Sequence, residues 1–264
     1  MNRMNEVKVT IITPSYNQGD YIERTILSVL NQSYKAIEYI IFDSCSTDNT
    51  MNIVNKYKDK LKVFVEKDKG QTDAINKGFR MASGDIIGWI NSDDELLPDC
   101  VEKVVNAFKS NENIGIVYGD TILIDQNNNK IGDAKCPNIN LNKLLNTNSS
   151  VIQPGSFYKK DLVQKVGYLN DKLSYVMDFD LWIKLLKISN AYYIPQYLSE
   201  FRFHDSSKTQ SAYLKFLPEK IKIIIENKGK LCSPNMYNIL KCYLGALKFK
   251  FKRNINKWLM KIKL

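Results

Sequence analysis

The chain has 264 residues, with 44% hydrophobic and 25% charged residues, the balance of a globular protein with room for one large α/β domain and an appendage. No run approaches the ~18–20 apolar residues of a spanning helix. The polar opening Met1–Lys8 leads straight into a strand-like run, so no signal peptide is expected. Cys45, Cys100, Cys136, Cys232 and Cys242 are scattered without paired metal-ligand spacing, so neither a zinc site nor a disulfide framework is expected and the location is expected to be cytoplasmic. The net charge of +10 is uneven: from Lys208 to Leu264, 13 Lys and Arg253 face only Glu219 and Glu226, a local +12 that leaves −2 for the rest. Such a tail suits an anionic surface, although an Asn- and Lys-rich coding bias gives the same composition.

In chain order, Val7–Thr13 is β-branched and ends at Pro14, which predicts a strand. Tyr21–Gln32 places Ile22, Ile26, Val29 and Leu30 on one helical face. Glu38–Phe42 reads as a second strand closing at Asp43, and Ser46–Asn49 offers caps for a helix to about Tyr57. Leu61–Val65 is a third strand, Thr72–Met81 a helix and Ile86–Ile90 a fourth strand running into Asn91-Ser92-Asp93-Asp94. A helix restarts near Pro98, and Ile114–Tyr118 reads as a fifth strand. Asn127–Asn129 is the turn of a hairpin, Asp178–Ile188 a helix, and Tyr192–Phe203 extended. Beyond Ser206 the pattern is helical and basic, including the amphipathic stretches Ile221–Ile225 and Leu247–Leu264.

Strands alternating with helices, and apolar on both faces, imply a parallel sheet covered on both sides. Ligands of such sheets bind beyond the carboxyl ends of the strands, where Pro14, Asp43, Asp68 and Asn91 open the loops. Asp93 and Asp94 follow an apolar strand directly, and their hard oxygen atoms suit Mg²⁺ or Mn²⁺. Either also reads as a cap of the next helix. Asp43 offers a carboxylate to base or ribose donors and equally to its own loop. No Gly-rich phosphate loop of either common kind occurs. Asp178 and Asp180 open a helix, as general-base candidates or as partners of its dipole. Arg202 and His204 alternate with Phe201 and Phe203, which on a strand puts both polar side chains on one face, a pair fit to meet a diphosphate.

Five segments resemble glycosyltransferase family 2 and its GT-A fold: ITPSYNQGDYIERTILSVLNQSY (Ile12–Tyr34), EYIIFDSCSTDNT (Glu38–Thr50), DKGQTDAINKGFRMASGDIIGWINSDD (Asp68–Asp94), QPGSFYKKDLVQKVGYLND (Gln153–Asp171) and DFDLWIKL (Asp178–Leu185), with FRFH after them. The resemblance implies a Rossmann-like, mostly parallel α/β sheet flanked by helices in a catalytic domain over 1–207. Its nucleotide-binding half would be about 1–120 and its acceptor half about 121–207, with 208–264 a basic amphipathic helical extension. It implies inverting transfer from a nucleotide sugar, with uridine the family's preferred base, to an acceptor hydroxyl. Pro14, Tyr16, Asp43 and Asp73 would hold the donor, with Asp93, Arg202 and His204 nearby. Asp94, with Asp93, would hold Mn²⁺ or Mg²⁺, and Asp178 would be the catalytic base. Gln153, Asp180 and Trp182 would position these groups or meet the acceptor. Two departures stand out: Ser44 replaces the family's usual second loop carboxylate, and Met177 stands where a Glu usually precedes the catalytic Asp.

The NSDD and DKGQTDAINKG forms look like bacterial surface-polysaccharide enzymes that build O-antigen or capsule. That implies a lipid-linked saccharide acceptor and peripheral contact of the basic tail with the inner face of the plasma membrane. Two alternatives remain at this point: a metal-dependent nucleotidyltransferase, and a basic nucleic-acid-binding protein. The second is disfavoured, and no nucleic-acid partner is expected, because the charge is confined to the tail.

Overall fold

A computed structural model describes residues 6–111, 113–147, 152–204, 207 and 213–245. Strand β1 (Val9–Ser15) is followed by helix α1 (Ile22–Leu30), β2 (Ile37–Asp43), the short α2 (Thr50–Val54), β3 (Lys62–Val65), α3 (Gln71–Met81) and β4 (Ile86–Trp89). The strands β3-β2-β1-β4 lie side by side and parallel. β1 and β2 are buried along almost their whole length, which is why their sequences are apolar on both faces. Helix α3 lies close against β1 because Gly78 has no side chain: a Cβ there would come within 2.6 Å of Ile12. Gly70, at φ +119°, starts the same helix in a conformation that other residues rarely adopt.

The second half is less regular. β5 (Glu95–Leu96), α4 (Cys100–Ser110) and the long β6 (Ile114–Asp125) lead into the hairpin strand β7 (Lys130–Ala134). Then follow α5 (Leu141–Asn146), β8 (Phe157–Lys159), α6 (Lys160–Lys165), α7 (Met177–Leu186), β9 (Asn190–Phe203) and α8 (Tyr213–Glu226), with a further helix, α9, over 234–245. β8 runs antiparallel between β4 and β6, while β6 and β9 pair in parallel and carry the sheet to β5. The sheet is therefore parallel in its amino-terminal half and mixed beyond it.

Two apolar cores cover the faces. One gathers α1, α4 and the inner residues of β1 and β2. The other joins α3, α5 and α7 to Leu217, Ile223 and Ile224 of α8 and to Met236 and Ile239 of α9. The described part of the carboxyl-terminal extension, expected as a separate segment from 208, shares this core with the body through those five side chains. The stretch Leu247–Leu264 lies outside the described residues.

Candidate active site

The carboxyl ends of β1, β2 and β4 place their loops side by side. Across the first two, Ser15 pairs with Asp43. Asp43 is 1% exposed, and its carboxylate accepts the Ser46 N–H at 2.7 Å and the Ser46 Oγ–H at 2.6 Å. Asp43 thereby holds its own loop. Ser46 Oγ in turn accepts the N–H of Asn17, and Asn17 Oδ1 accepts the N–H of Thr47, which ties the two loops together. Beside them Ser15 Oγ is buried with no hydrogen-bond partner among the described residues. Pro14 is buried within β1, whereas Tyr16 is 58% exposed with its ring open to a ligand. Asp73 lies in the first turn of α3, where it accepts the Lys69 N–H at 3.1 Å and pairs with Lys77 at 3.4 Å.

After β4 the Asn91–Asp94 loop is held from three sides. Asn91 accepts from Gln71 of α3 at 2.7 Å and donates to Asp94 Oδ2 at 3.1 Å. Gln153 donates to the Trp89 carbonyl at 2.6 Å and accepts from Asn91 at 3.3 Å. From β9, the Arg202 N–H donates to Asp94 Oδ1 at 3.0 Å, and His204 Nε2 lies 2.9 Å from Asp93 Oδ2. Arg202 and His204 do share one side of β9 and both reach this loop, but the guanidinium does not open towards a diphosphate. It is 1% exposed and donates to the Asp93 carbonyl at 2.8 Å, the Asp125 carbonyl at 3.2 Å, Glu95 at 2.6 Å and Asn128. Arg202 is a clamp on the loop. The Tyr21 ring covers both side chains, 4.7 Å from the His204 ring and 5.2 Å from the Arg202 guanidinium.

The two carboxylates differ in access. Asp94 is 1% exposed with both oxygens engaged, and burial together with the adjacent Asp93 holds its carboxyl well above the usual carboxylate range. Asp93 retains 20% exposure, with the imidazole beside it. Asp93 is thus the more exposed of the two carboxylates, while Asp94 and the His204 side chain, 2% exposed, are buried beside it. No group of three His, Cys, Asp or Glu suited to a metal forms among the described residues. A magnesium- or manganese-type ion still fits the donor set, because such ions take one or two protein carboxylates and complete the shell with substrate phosphate and water.

Asp178 stands in the first turn of α7. The Tyr158 phenol lies within electrostatic reach of its carboxylate, and the Tyr158 ring stacks 5.7 Å from Trp89, the last residue of β4. Asp178 keeps some exposure, yet protein atoms crowd its carboxylate. Burial pushes its pKa up to about 6, against the opposing pull of the Phe179 N–H and the Lys220 charge. Asp180 instead turns inward and pairs with Lys184 at 2.8 Å. Trp182 is fully buried and donates to the Tyr158 hydroxyl at 3.2 Å. Of the three side chains expected to position groups or meet the acceptor, Gln153, Asp180 and Trp182, all serve internal contacts. Sequence reasoning gave no role to the side chains of Gln71, Asn91, Tyr21 or Glu95. The first three lie inside the quoted motifs, whereas Glu95 falls just past the end of one.

Residues 10–167 match the family model described as Glycosyl transferase family 2, more than half of the chain. The chain belongs to this family. An uncharacterized glycosyltransferase of Rickettsia typhi is 32% identical over 77% of this chain and 66% of its own length. Chondroitin synthase of Escherichia coli is 29% identical over 68% of this chain and 26% of its own length. The chain spans between about a third and two thirds of the first Rickettsia relatives that it matches. Among solved structures, Staphylococcus aureus TarS 1-349 in complex with UDP-GlcNAc gives a TM-score of 0.68 at 19% identity, covering 90% of this chain and 71% of that one. The mannosyltransferase PcManGT of Pyrobaculum calidifontis, in complex with GDP-Man and Mn²⁺, gives 0.65 at 18% identity, covering 92% and 75%. Both likenesses bear on the fold, which is the GT-A fold of the family. The match to the family model ends before Asp178, Arg202 and His204, so the roles of these three rest on the geometry above.

Proposed function

We propose that the chain is an inverting, metal-dependent glycosyltransferase that moves a sugar from a nucleoside diphosphate donor, UDP-linked by preference, to a hydroxyl of a lipid-linked saccharide. The observation that carries this is the pairing of Asp93 with His204 beyond β4, with a further carboxylate, Asp178, whose pKa lies near 6. Family membership and neighbours solved with UDP-GlcNAc and with GDP-Man and Mn²⁺ support the donor class and the metal. The exposed Tyr16 ring would stack on the base, and the unpartnered Ser15 Oγ offers the donor a hydrogen bond. Asp93 and His204 would hold the cation, whose charge offsets that of the departing diphosphate. Asp178 takes the proton of the acceptor hydroxyl as its oxygen attacks the sugar, and single displacement turns an α-linked donor into a β-linked product.

For location, we propose peripheral attachment to the anionic inner face of the plasma membrane. Ile225, Leu240 and Leu244 are exposed on α8 and α9 beside Lys222, Lys228 and Lys241. Pro218, Ile221, Ile225, Leu240 and Tyr243, with Lys222 and Glu226, line an open groove of ≈ 630 Å³ between the two helices. Apolar side chains flanked by lysines suit the headgroup region of an anionic leaflet.

Calorimetric titration tests the donor and metal site. UDP is expected to bind in the presence of Mn²⁺ and at least tenfold more weakly in chelator, with the metal increment lost in Asp93→Ala and His204→Ala. Equal UDP affinity with and without metal sinks the metal assignment.

A further inference from the structure

Helix α8 lies outside the stretch matched by the family model, yet it reaches the first turn of α7 and the turn that precedes it. Glu219 accepts the N–H of Ser174 at 3.2 Å and of Tyr175 at 2.9 Å, the turn that delivers the chain to α7. The Tyr175 ring packs 5.1 Å from that of Phe216, one turn earlier in α8. The next side chain, Lys220, carries its ammonium 5.0 Å over the ring of Phe179, the residue directly after Asp178. A lysine among protein atoms is costly unless something compensates its charge. Lys220 has two compensations, the face of an aromatic ring and the neighbouring carboxylate.

We propose that α8 is a working part of the active site: Glu219 fixes the turn that aims Asp178, and Lys220 supplies the cationic charge against which Asp178 works as a base. This rests on the assignment of Asp178 as the base. Lys220 is a positioning residue and acts through that carboxylate. The groups that face Asp178 from the elements packed on it are Lys220 of α8 and the Tyr158 phenol of β8. Lys220 itself faces Asp178 and the Cys242 thiol of α9. Burial drives the Lys220 pKa down and the Asp178 pKa up, so each charge helps the other to survive. Without the ammonium, the carboxylate would hold its proton to higher pH and remove fewer acceptor protons near neutrality.

The test is the pH dependence of kcat/KM for nucleoside diphosphate release by the full chain and by Lys220→Met, Lys220→Gln, Lys220→Arg and Asp178→Asn. In Lys220→Met the acid limb is expected to move up by about one pH unit, a roughly fivefold loss at pH 6 that nearly disappears at pH 9, with the donor KM unchanged. Lys220→Arg keeps the charge and should leave the limb in place. Lys220→Gln gives the same reading as the methionine variant, so either folded protein decides the matter. An unmoved acid limb, or an equal loss at every pH with a raised KM, overturns the proposal. If Asp178→Asn keeps wild-type turnover and its acid limb, the base assignment fails instead, and that outcome is separable because it needs no Lys220 variant.

Discussion

At the scale of single residues, Asp178 and Asp180 lie two positions apart on one helix and have opposite environments. Asp180 is neutralised by Lys184 one turn on, whereas Asp178 keeps an exposed edge and a pKa near 6. Asp178→Asn is therefore expected to lower kcat by about 10²–10⁴-fold with donor affinity nearly unchanged. It also has a stability signature with a definite sign. Burial raises the folded-state pKa of Asp178 above its ordinary 3.8, so the folded protein favours the protonated acid. That contribution is complete below 3.8 and is lost as pH rises through about 6. The neutral Asn variant should then melt at higher temperature than wild type at pH 7, by about 1–3 kcal/mol of stability, and lose that advantage below pH 4. Thermal melts at the two pH values check this; a variant less stable at pH 7 would show that Asp178 is a structural partner. Arg202 makes the complementary point. That it shares one face of its strand with His204 was legible from the alternation, but its four acceptors come from Asp93, Glu95, Asp125 and Asn128, and no local pattern shows that they converge.

At the scale of elements, the parallel half of the sheet was readable because its strands are β-branched runs cut by Pro14, Asp43 and Asn91, with helical periodicity between them. β8 was not readable. It is three residues long, its antiparallel insertion between β4 and β6 depends on partners far away in the chain, and Gly88 must be bare to admit the Phe157 ring, which lies 2.7 Å from the place of a Cβ. The parallel half is also locked by one buried charge. Glu38 of β2 accepts from Thr10 Oγ1 of β1 at 2.7 Å, from the Ser83 N–H at 2.8 Å and from Lys62 Nζ of β3 at 2.7 Å. Burial alone would raise its pKa, but these donors outweigh it and bring the pKa to about 2. A depressed folded-state value means stability that is present above 4.5 and lost as pH falls towards about 2. Glu38→Gln should cost about 1–2 kcal/mol at pH 7, discounted because Lys62 is exposed, and the difference should shrink on acidification through that range. Denaturant unfolding at pH 7 and pH 3 measures it, and a pH-independent difference would assign the loss to packing.

At the scale of the whole molecule, the amphipathic character of the basic tail was plain in the sequence, but its destination was not. A helix with one apolar face satisfies a protein core and a bilayer equally well. In the described part, Leu217, Ile223 and Ile224 enter the core, while Ile225, Leu240 and Leu244 are exposed. A truncation at Ser207 would therefore strip the core and is no control for membrane binding. The better comparison keeps the full chain and changes Ile225 and Leu240 to Ser. The unaltered protein is expected to co-sediment with anionic vesicles at low salt and leave them as salt rises, and the double variant to remain in solution. If both sediment alike, the groove between α8 and α9 is not the attaching surface.

The most direct measurement is product release. The full chain, supplied with Mn²⁺, a panel of UDP-, GDP- and dTDP-sugars and a bacterial lipid extract as acceptor, is assayed for nucleoside diphosphate and for pyrophosphate. Nucleoside diphosphate is expected from one donor, UDP-linked, with release abolished by chelator and by Asp178→Asn. Pyrophosphate in its place, or no nucleoside diphosphate from any donor, contradicts glycosyl transfer by this site.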